Sequence, residues 1–253
     1  EKIKPWVLLV VILLVAAYLR LNKISEYMTF LGDEGRDVLV VKRMIVDHDL
    51  TLLGPTASVG GFYLGPIYYY FMVPFLWLWN LDPTGPAVMV ALFGVATTYL
   101  IYVSGRDFFS KNAGLVSASL YALSPLAIAM SRSSWNPNIV PFFSTLLIYL
   151  LWRSIAKKEY LQLLWIGVIL GIGLQLHYLF LFLFGVTIVW YLAVGRRREF
   201  VQFYALGIVG VIVGFSPFLA FELLKGFPNT QTIIRYLGSG EDTGFRFSGP
   251  QVR

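Results

Sequence analysis

The sequence predicts an all-α integral membrane protein: a polytopic transmembrane helix bundle of about seven spans, with interfacial or re-entrant helices in its first external loop. Of its 253 residues 57% are hydrophobic and 13% charged, and the mean hydropathy of +0.70 lies well outside the range of soluble globular proteins. Apolar runs close to the roughly 20 residues that cross a bilayer recur along the whole chain. We therefore expect one membrane-embedded module and not a tethered soluble domain.

Composition also limits the chemistry of the chain. It contains no cysteine and two histidines, which excludes disulfides, thiolate metal sites and a cysteine nucleophile and leaves little for a zinc site. We predict no cofactor and no metal; a divalent cation is compatible with carboxylates but has no support in the sequence. The net charge of +6 is attributed to membrane topology and not to nucleic-acid binding, because Lys and Arg collect in cytoplasmic loops.

The apolar runs define the predicted spans. They are residues 6–21, 87–103, 113–130, 139–152, 161–176, 178–194 and 201–221. The first run has no small-residue cleavage site and is closed by Arg20, which favours a retained helix over a signal peptide. An eighth run, 62–79, is interrupted by Gly65, Pro66 and Pro74 and is rich in Tyr and Trp, which prefer the membrane interface.

The basic clusters predict the orientation. They are Lys2 with Lys4, Arg106 with Lys111, Arg153 with Lys157 and Lys158, and Arg196 to Arg198. We expect all of them, and the N-terminus, on the cytoplasmic side, so the run 62–79 must be re-entrant or interfacial, since a further crossing would place Arg106 outside. Residues 161–194 would form one helix of about 51 Å, too long for a bilayer, and are therefore predicted to cross twice with a break near His177.

Acidic residues concentrate in the predicted external loop, residues 22–85, whereas the segment 222–253 is predicted to be a polar external tail. In the loop, the pair Asp33-Glu34 precedes a stretch, 38–46, whose aliphatic residues recur on one side at helical spacing. This pattern predicts a short helix on the membrane surface. Two roles are open for Asp33: it caps that helix by accepting backbone N–H bonds, or it acts as a general base beside Glu34.

The order of these motifs resembles the GT-C membrane glycosyltransferases. An acidic pair after the first span, a surface helix and then Gly-Pro with aromatics are similar to the protein O-mannosyltransferase and aminoarabinose transferase group, glycosyltransferase family 39. The segments GRDFFSKNAG at 105–114, ALSP at 122–125, SR at 131–132 and LHY at 176–178 are similar to the same group. The resemblance covers nearly the whole chain.

The resemblance implies a single glycosyltransferase module, residues 1–253, that moves a hexosyl or pentosyl group from a polyprenyl-phosphate donor to an acceptor at the extracytoplasmic face of the plasma membrane. It implies that Asp33 is the catalytic aspartate, with Glu34 as its neighbour. The residues expected to contact the phosphate or sugar of the donor are Arg132, Asn136, Asn138, His177, Tyr178 and Tyr63.

Structural roles stand beside these functional ones. An arginine such as Arg132 at a helix end is often a snorkelling anchor, and His177 is also placed to make a structural hydrogen bond in a helix break. Trp135 fits either stacking on a sugar or an interfacial aromatic belt.

Two departures from the family pattern bear on the chemistry. Asn136 or Asn138 stands where many relatives carry a second acidic residue, and an amide cannot act as a base and is a poorer cation ligand than a carboxylate. The segment 60–66 lacks the lysine that some relatives place before the prolines. The chain is also short for such an enzyme, so we expect a shared membrane module whose acceptor-binding parts lie elsewhere.

The expected partners are the lipid-linked donor, membrane lipids and an acceptor that the sequence does not identify, whether protein, lipid or glycan. Two other classes of protein stay open. A transporter or lipid flippase would place ionisable groups in the middle of spans and pair broken helices in two halves. A non-catalytic membrane scaffold is compatible with the missing second acid.

Overall fold

The computed structural model describes residues 4–194 and 204–239. These residues are helices and their connections, without a named strand; an isolated antiparallel bridge joins Thr56 and Tyr63. The prediction of an all-α protein is confirmed. The cationic cluster Arg196 to Arg198, Lys2 and the residues after 239 lie outside the described ranges.

The helices follow in chain order. They are α1 (Pro5–Leu21), α2 (Ile24–Tyr27), α3 (Gly32–Val46), α4 (Ile67–Leu78), α5 (Thr84–Phe108), α6 (Lys111–Leu123), α7 (Pro125–Met130), α8 (Val140–Ala156, preceded by a 3₁₀ turn at Asn136–Ile139), α9 (Gln162–Leu176), α10 (Phe180–Val194), α11 (Tyr204–Lys225) and α12 (Pro228–Ser239).

Within residues 4–194 and 204–239, three helical segments are long and apolar enough to cross a membrane: Thr84–Phe108, Asn136–Ala156 and Tyr204–Lys225. Four shorter apolar helices, at Pro5–Leu21, Ile67–Leu78, Gln162–Leu176 and Phe180–Ala193, accompany them in the described part of the chain. Six of the seven predicted spans coincide with one apolar helix each, although the number of crossings and their orientation stay predictions.

The remaining predicted span, 113–130, is not one helix. It divides into α6 and α7 at Ser124. Pro125 has no N–H to continue the backbone ladder, and the Ser124 hydroxyl accepts the Ala127 N–H at 3.4 Å to cap the new helix. The predicted span is therefore two helices and not one, and its crossing of the membrane stays a prediction.

The break predicted near His177 is present. Helix α9 ends at Leu176 and α10 begins at Phe180, with His177 in extended conformation between them. The eighth apolar run, 62–79, forms the single helix α4, which begins after the first of its interrupting prolines.

The helix predicted at 38–46 is present and longer than expected, because α3 begins at Gly32 and includes the acidic pair. Its position at a membrane surface stays a prediction. Its buried positions, Glu34, Asp37, Val38, Val41 and Met44, recur every three or four residues and form one face. The helix is therefore amphipathic, with two carboxylates on its buried side.

The predicted polar tail, 222–253, contains a further helix, α12, that the prediction missed. The buried Glu222 carboxylate accepts the backbone N–H groups of Asn229 at 3.1 Å and Thr230 at 2.9 Å, which are free donors of the first turn of α12. The Asn229 side chain accepts the Tyr63 N–H at 2.9 Å. The bonds from Glu222 in the preceding helix, together with the bond to the distant Tyr63, explain why a polar segment becomes ordered helix.

The contacts divide the chain into two compact units. The first unit consists of Glu1–Lys42 and Phe71–Tyr149, and the second of Arg43–Tyr70 and Leu150–Arg253. In the first unit α1, α5 and α6 pack together, and the rings of Phe71, Phe93, Phe142 and Phe143 form a cluster with centroids 5.2–5.9 Å apart.

Glycines bring α9 and α11 into close contact in the second unit. A methyl group added at Gly167 would lie 2.1 Å from the Gly207 carbonyl oxygen, and one at Gly214 would lie 2.3 Å from that of Val168. Small residues at such positions let two membrane helices approach at backbone distance and gain van der Waals contact.

Replacing Gly210 with alanine is therefore expected to destabilise the protein by about 1–3 kcal/mol, because overpacking forces the helices apart. Its methyl group would lie 2.1 Å from the Leu164 carbonyl oxygen. Gly185→Ala in α10 is the matched control, since nothing lies within 4 Å of its added carbon. Thermal unfolding in detergent should give a lower midpoint for Gly210→Ala alone; equal midpoints would contradict the close packing.

Candidate active site

A pocket of about 550 Å³ lies in the first unit between the start of α3 and the segment that follows α7. Its wall includes Asp33 and Glu34 from α3, Ala129 and Met130 from α7, and Ser133, Trp135 and Asn138. The pocket thus combines a carboxylate pair with an apolar and aromatic wall, the usual composition of a small-molecule site.

Glu34 is buried, with 5% of its surface exposed, and three donors hold its carboxylate. Oε2 accepts the Leu31 N–H at 3.0 Å, while Oε1 accepts the hydroxyls of Thr29 at 3.4 Å and Ser133 at 2.7 Å. Because α3 begins at Gly32, the bond to Leu31 is the glutamate half of a capping box. Glu34 therefore begins the helix and ties it to the opposite wall of the pocket.

The opposite wall is ordered by its own hydrogen bonds. The Asn138 side-chain amide donates to the Ser133 carbonyl at 3.0 Å, and the Trp135 N–H donates to the same oxygen at 2.9 Å. This turn directs the Ser133 hydroxyl at Glu34 and leaves Trp135 partly exposed at the pocket.

Asp33 has the opposite environment to its neighbour. Its side chain is 55% exposed, and Arg36 Nη1 donates to Oδ1 at 2.9 Å. The same guanidinium donates to the fully buried Asp37 carboxylate at 2.8 Å through Nη2. Arg36 therefore holds Asp33 at the pocket while the carboxylate stays accessible to a ligand.

The capping role considered for Asp33 belongs to Glu34. Among the described residues the Asp33 carboxylate accepts no backbone N–H, whereas Glu34 accepts that of Leu31. The prediction that Asp33 caps the helix was therefore wrong, and the capping residue is the next one, Glu34. The helix starts at Gly32, which places Asp33 inside its first turn.

Arg132 lies beside the pocket without lining it. Its Nη2 donates to the Leu19 carbonyl at the end of α1, and its guanidinium lies 4.9 Å from the Tyr27 ring. Asn136 is buried in the 3₁₀ turn and also does not line the pocket, whereas Asn138 does. The predicted donor contacts of Arg132, Asn136 and Asn138 stay predictions.

The other predicted contacts, Tyr63, His177 and Tyr178, belong to the second unit. Tyr63 and Tyr178 line a pocket of about 460 Å³ whose wall is almost entirely apolar and aromatic, including Phe62 and Phe218. The site residues predicted together thus belong to two different units. Asp33, Glu34 and Asn138 line the acidic pocket and Tyr63 and Tyr178 line the apolar pocket, whereas Arg132, Asn136 and His177 line neither.

His177 makes the structural hydrogen bond that the sequence left open. Its Nδ1 accepts the Leu179 N–H at 3.2 Å ahead of α10, and burial lowers the pKa of its imidazole below the usual range. The ring is therefore neutral near pH 7, with its proton on Nε2.

Several residues that shape the acidic pocket were missed from the sequence. Ser133 and Thr29 are ordinary loop residues with no motif of their own, and the buried Asp37 was one of several acids in a polar segment. Only the pattern of burial along α3 distinguishes Asp37 from its neighbours. Within residues 4–194 and 204–239, no group of three His, Asp or Glu side chains is arranged to hold a metal ion.

The apolar helices define a helical integral membrane protein. The family model for dolichyl-phosphate-mannose-protein mannosyltransferase matches residues 64–221, more than half of the chain. The chain belongs to that family, which favours the transferase class over the transporter and scaffold alternatives. Asp33 and Glu34 lie outside the matched residues.

A solved structure has the same fold. The crystal structure of ArnT from Cupriavidus metallidurans bound to undecaprenyl phosphate matches with a TM-score of 0.66 and 20% identity, over 92% of this chain and 44% of that chain. YkcB from Bacillus subtilis (strain 168), named as a candidate mannosyltransferase, is 30% identical over 83 residues, which are 33% of this chain and 12% of YkcB. The chain spans less than half the length of these relatives.

Replacing Glu34 with alanine is expected to cost about 1–3 kcal/mol of unfolding free energy, because the donors of Leu31, Thr29 and Ser133 lose the buried carboxylate that accepts them. Asp33→Ala, at the neighbouring half-exposed carboxylate, should cost less than about 0.5 kcal/mol. Thermal or denaturant unfolding in detergent measures both. A larger loss for Asp33→Ala would contradict the roles assigned to the two carboxylates.

Proposed function

We propose that this protein transfers a sugar from a polyprenyl-phosphate donor to an acceptor at the acidic pocket, with Asp33 as the general base. The observation that carries the proposal is the contrast within the carboxylate pair. The Glu34 carboxylate already accepts three structural hydrogen bonds, whereas the Asp33 carboxylate is half exposed at the pocket and is contacted by a single guanidinium.

The chemistry follows from that contrast. The acceptor oxygen forms a bond to the anomeric carbon while the bond from that carbon to the lipid phosphate breaks, and the phosphate leaves with the electron pair. Asp33 takes the acceptor proton, which makes the attacking oxygen more nucleophilic. Glu34 does not compete for this proton in the proposal; it holds α3 and the opposite wall at a constant separation.

Positive charge beside the pocket supports an anionic leaving group. Arg36 is already paired with Asp33 and Asp37, so the proposal assigns to Arg132, at the end of the adjoining wall, the role of offsetting the charge that develops on the departing phosphate. Trp135 and Asn138 provide an aromatic face and an amide in the wall, a combination suited to a sugar.

The donor class rests on the relatives. The family is named for dolichyl-phosphate-mannose, and the ArnT structure contains undecaprenyl phosphate, so both names give a polyprenyl phosphate. Tyr63 and Tyr178 line the apolar pocket of the second unit, and their contact with the donor stays a prediction. The location of the acidic pocket outside the cytoplasm follows from the distribution of Lys and Arg.

Asp33→Asn is expected to reduce sugar transfer at least about 100-fold without loss of folded protein, since an amide cannot accept the acceptor proton. Asp47→Asn is the matched control, because Asp47 is exposed directly after the other end of α3. Release of lipid phosphate from labelled polyprenyl-phosphate hexoses and pentoses by the purified protein measures both variants. Full activity of Asp33→Asn would remove Asp33 as the base, and absence of turnover of every such donor by the unmodified chain would overturn the transferase proposal.

Transfer is also expected to need no metal ion, since a carboxylate base and guanidinium groups supply the charges that the reaction requires. Turnover should be unchanged within about twofold after dialysis against EDTA, because no step is assigned to a Lewis acid. A large loss that added Mg²⁺ or Mn²⁺ restores would contradict this part of the proposal.

A further inference from the structure

Arg20 is a charged residue in the apolar helix α1 and is fully buried. A buried cation in a membrane helix is costly unless it is partnered. Among the described residues no carboxylate pairs with it. Its partners are neutral oxygens, namely the Ala16 carbonyl of its own helix and three oxygens elsewhere in the chain, which is an unusual set of partners for a guanidinium.

Two of these partners lie at the end of α6. Nη1 donates to the Ala122 carbonyl at 3.1 Å and Nη2 to the Tyr121 carbonyl at 3.2 Å, and the guanidinium lies 5.4 Å from the Tyr121 ring. The last carbonyls of a helix lack internal donors, and Pro125 has no N–H to offer the Tyr121 carbonyl. The cation also faces the negative end of the helix dipole. Arg20 thus caps α6 from a neighbouring helix.

The third partner connects Arg20 to the acidic pocket. Nε donates to the Ser131 hydroxyl at 3.3 Å, and that hydroxyl donates to the Ala127 carbonyl at 2.6 Å. Ser131 is two residues before Ser133, whose hydroxyl holds Glu34. A single guanidinium therefore joins α1, the end of α6 and the beginning of the pocket wall.

Helix α5 is shaped to admit this contact. A carbon added at Gly94 would lie 2.4 Å from the Ser131 hydroxyl oxygen and 2.8 Å from Arg20 Nε. A side chain at this position would occupy the place where the two groups meet. The space at Gly94 is a second and independent indication that the arginine and serine are built to meet there.

We propose that Arg20 is a positioning residue for the acidic pocket. It fixes the segment 131–138 relative to α1 and α6, and through Ser133 it fixes the Glu34 carboxylate beside Asp33. Its effect on catalysis rests on the proposed function, but its effect on the segment does not, and the two are measured separately.

The first measurement follows the segment itself. The chain has no cysteine, so a single introduced thiol reports on its own position. Ser134→Cys places a thiol at a buried position of the segment, and Ser104→Cys places one at a buried position of α5 in the same unit. Maleimide labelling of each in detergent is compared with and without Arg20→Met, a change that removes a buried charge from an apolar helix and is not expected to prevent folding.

Labelling at position 134 is expected to rise about tenfold with Arg20→Met, because opening of the segment costs less without its anchor, while labelling at position 104 stays unchanged. An equal rise at both positions would show general loosening of the unit and overturn the proposal. No rise at either position would overturn it as well, because the segment would then be held without Arg20.

The second measurement is kinetic. Ser131→Ala removes the acceptor of Arg20 Nε. Ser119→Ala is its matched control, since the Ser119 hydroxyl makes the same bond to a carbonyl four residues back, at 2.8 Å, and has no arginine partner among the described residues. Arg20→Met should lower kcat for donor turnover by about 10- to 100-fold, and Ser131→Ala should lower it by roughly several-fold. The donor KM should stay unchanged within about threefold, because misplacement of catalytic groups affects the chemical step.

Unchanged kcat in a folded Arg20→Met variant would overturn the positioning role even if labelling rises. A loss shared equally by Ser119→Ala would do the same, because it would reflect the loss of any such hydroxyl. If the unmodified chain turns over no donor, the proposed function fails, and the labelling comparison still decides whether Arg20 holds the segment.

Discussion

The buried carboxylate of Glu34 is the interaction on which the acidic pocket depends. Its three hydrogen bonds cap α3, hold the chain before that helix and attach the segment after α7. Burial of a charged group is tolerable only when its acceptors are filled, so these donors cannot move independently. Because Glu34 makes the capping bond of α3, the neighbouring Asp33 carboxylate is not needed for it. A pair of adjacent acids thereby separates into a structural and an accessible carboxylate.

Buried charges at helix ends recur in both units. Glu34 caps the start of its own helix, Glu222 accepts N–H groups at the start of α12, and Arg20 donates to carbonyls at the end of α6. Helix ends carry unsatisfied backbone groups, and in an apolar environment there is little water to form hydrogen bonds with them. A charged side chain from a neighbouring element satisfies several of them at once.

Much of the architecture was predictable because it depends on local composition. The apolar runs located six of the seven predicted spans as helices, and the excess length of residues 161–194 indicated the break found at His177. The division at Ser124 and the helix α12 were not predicted. The first depends on one proline within an apolar run, and the second on capping by Glu222 from another helix. The acidic pair was recognisable, but its two roles were not distinguishable.

The sequence by itself determined the class of protein, the positions of its apolar helices and the family resemblance, because hydropathy and motif order are properties of neighbouring residues. Only the tertiary structure decided which carboxylate is buried and which residues share a pocket. Ser133 lies 99 residues from Glu34, and Ser131 lies 111 residues from Arg20. The partners of a buried polar group are selected by packing in three dimensions, and no local pattern records a contact across that distance.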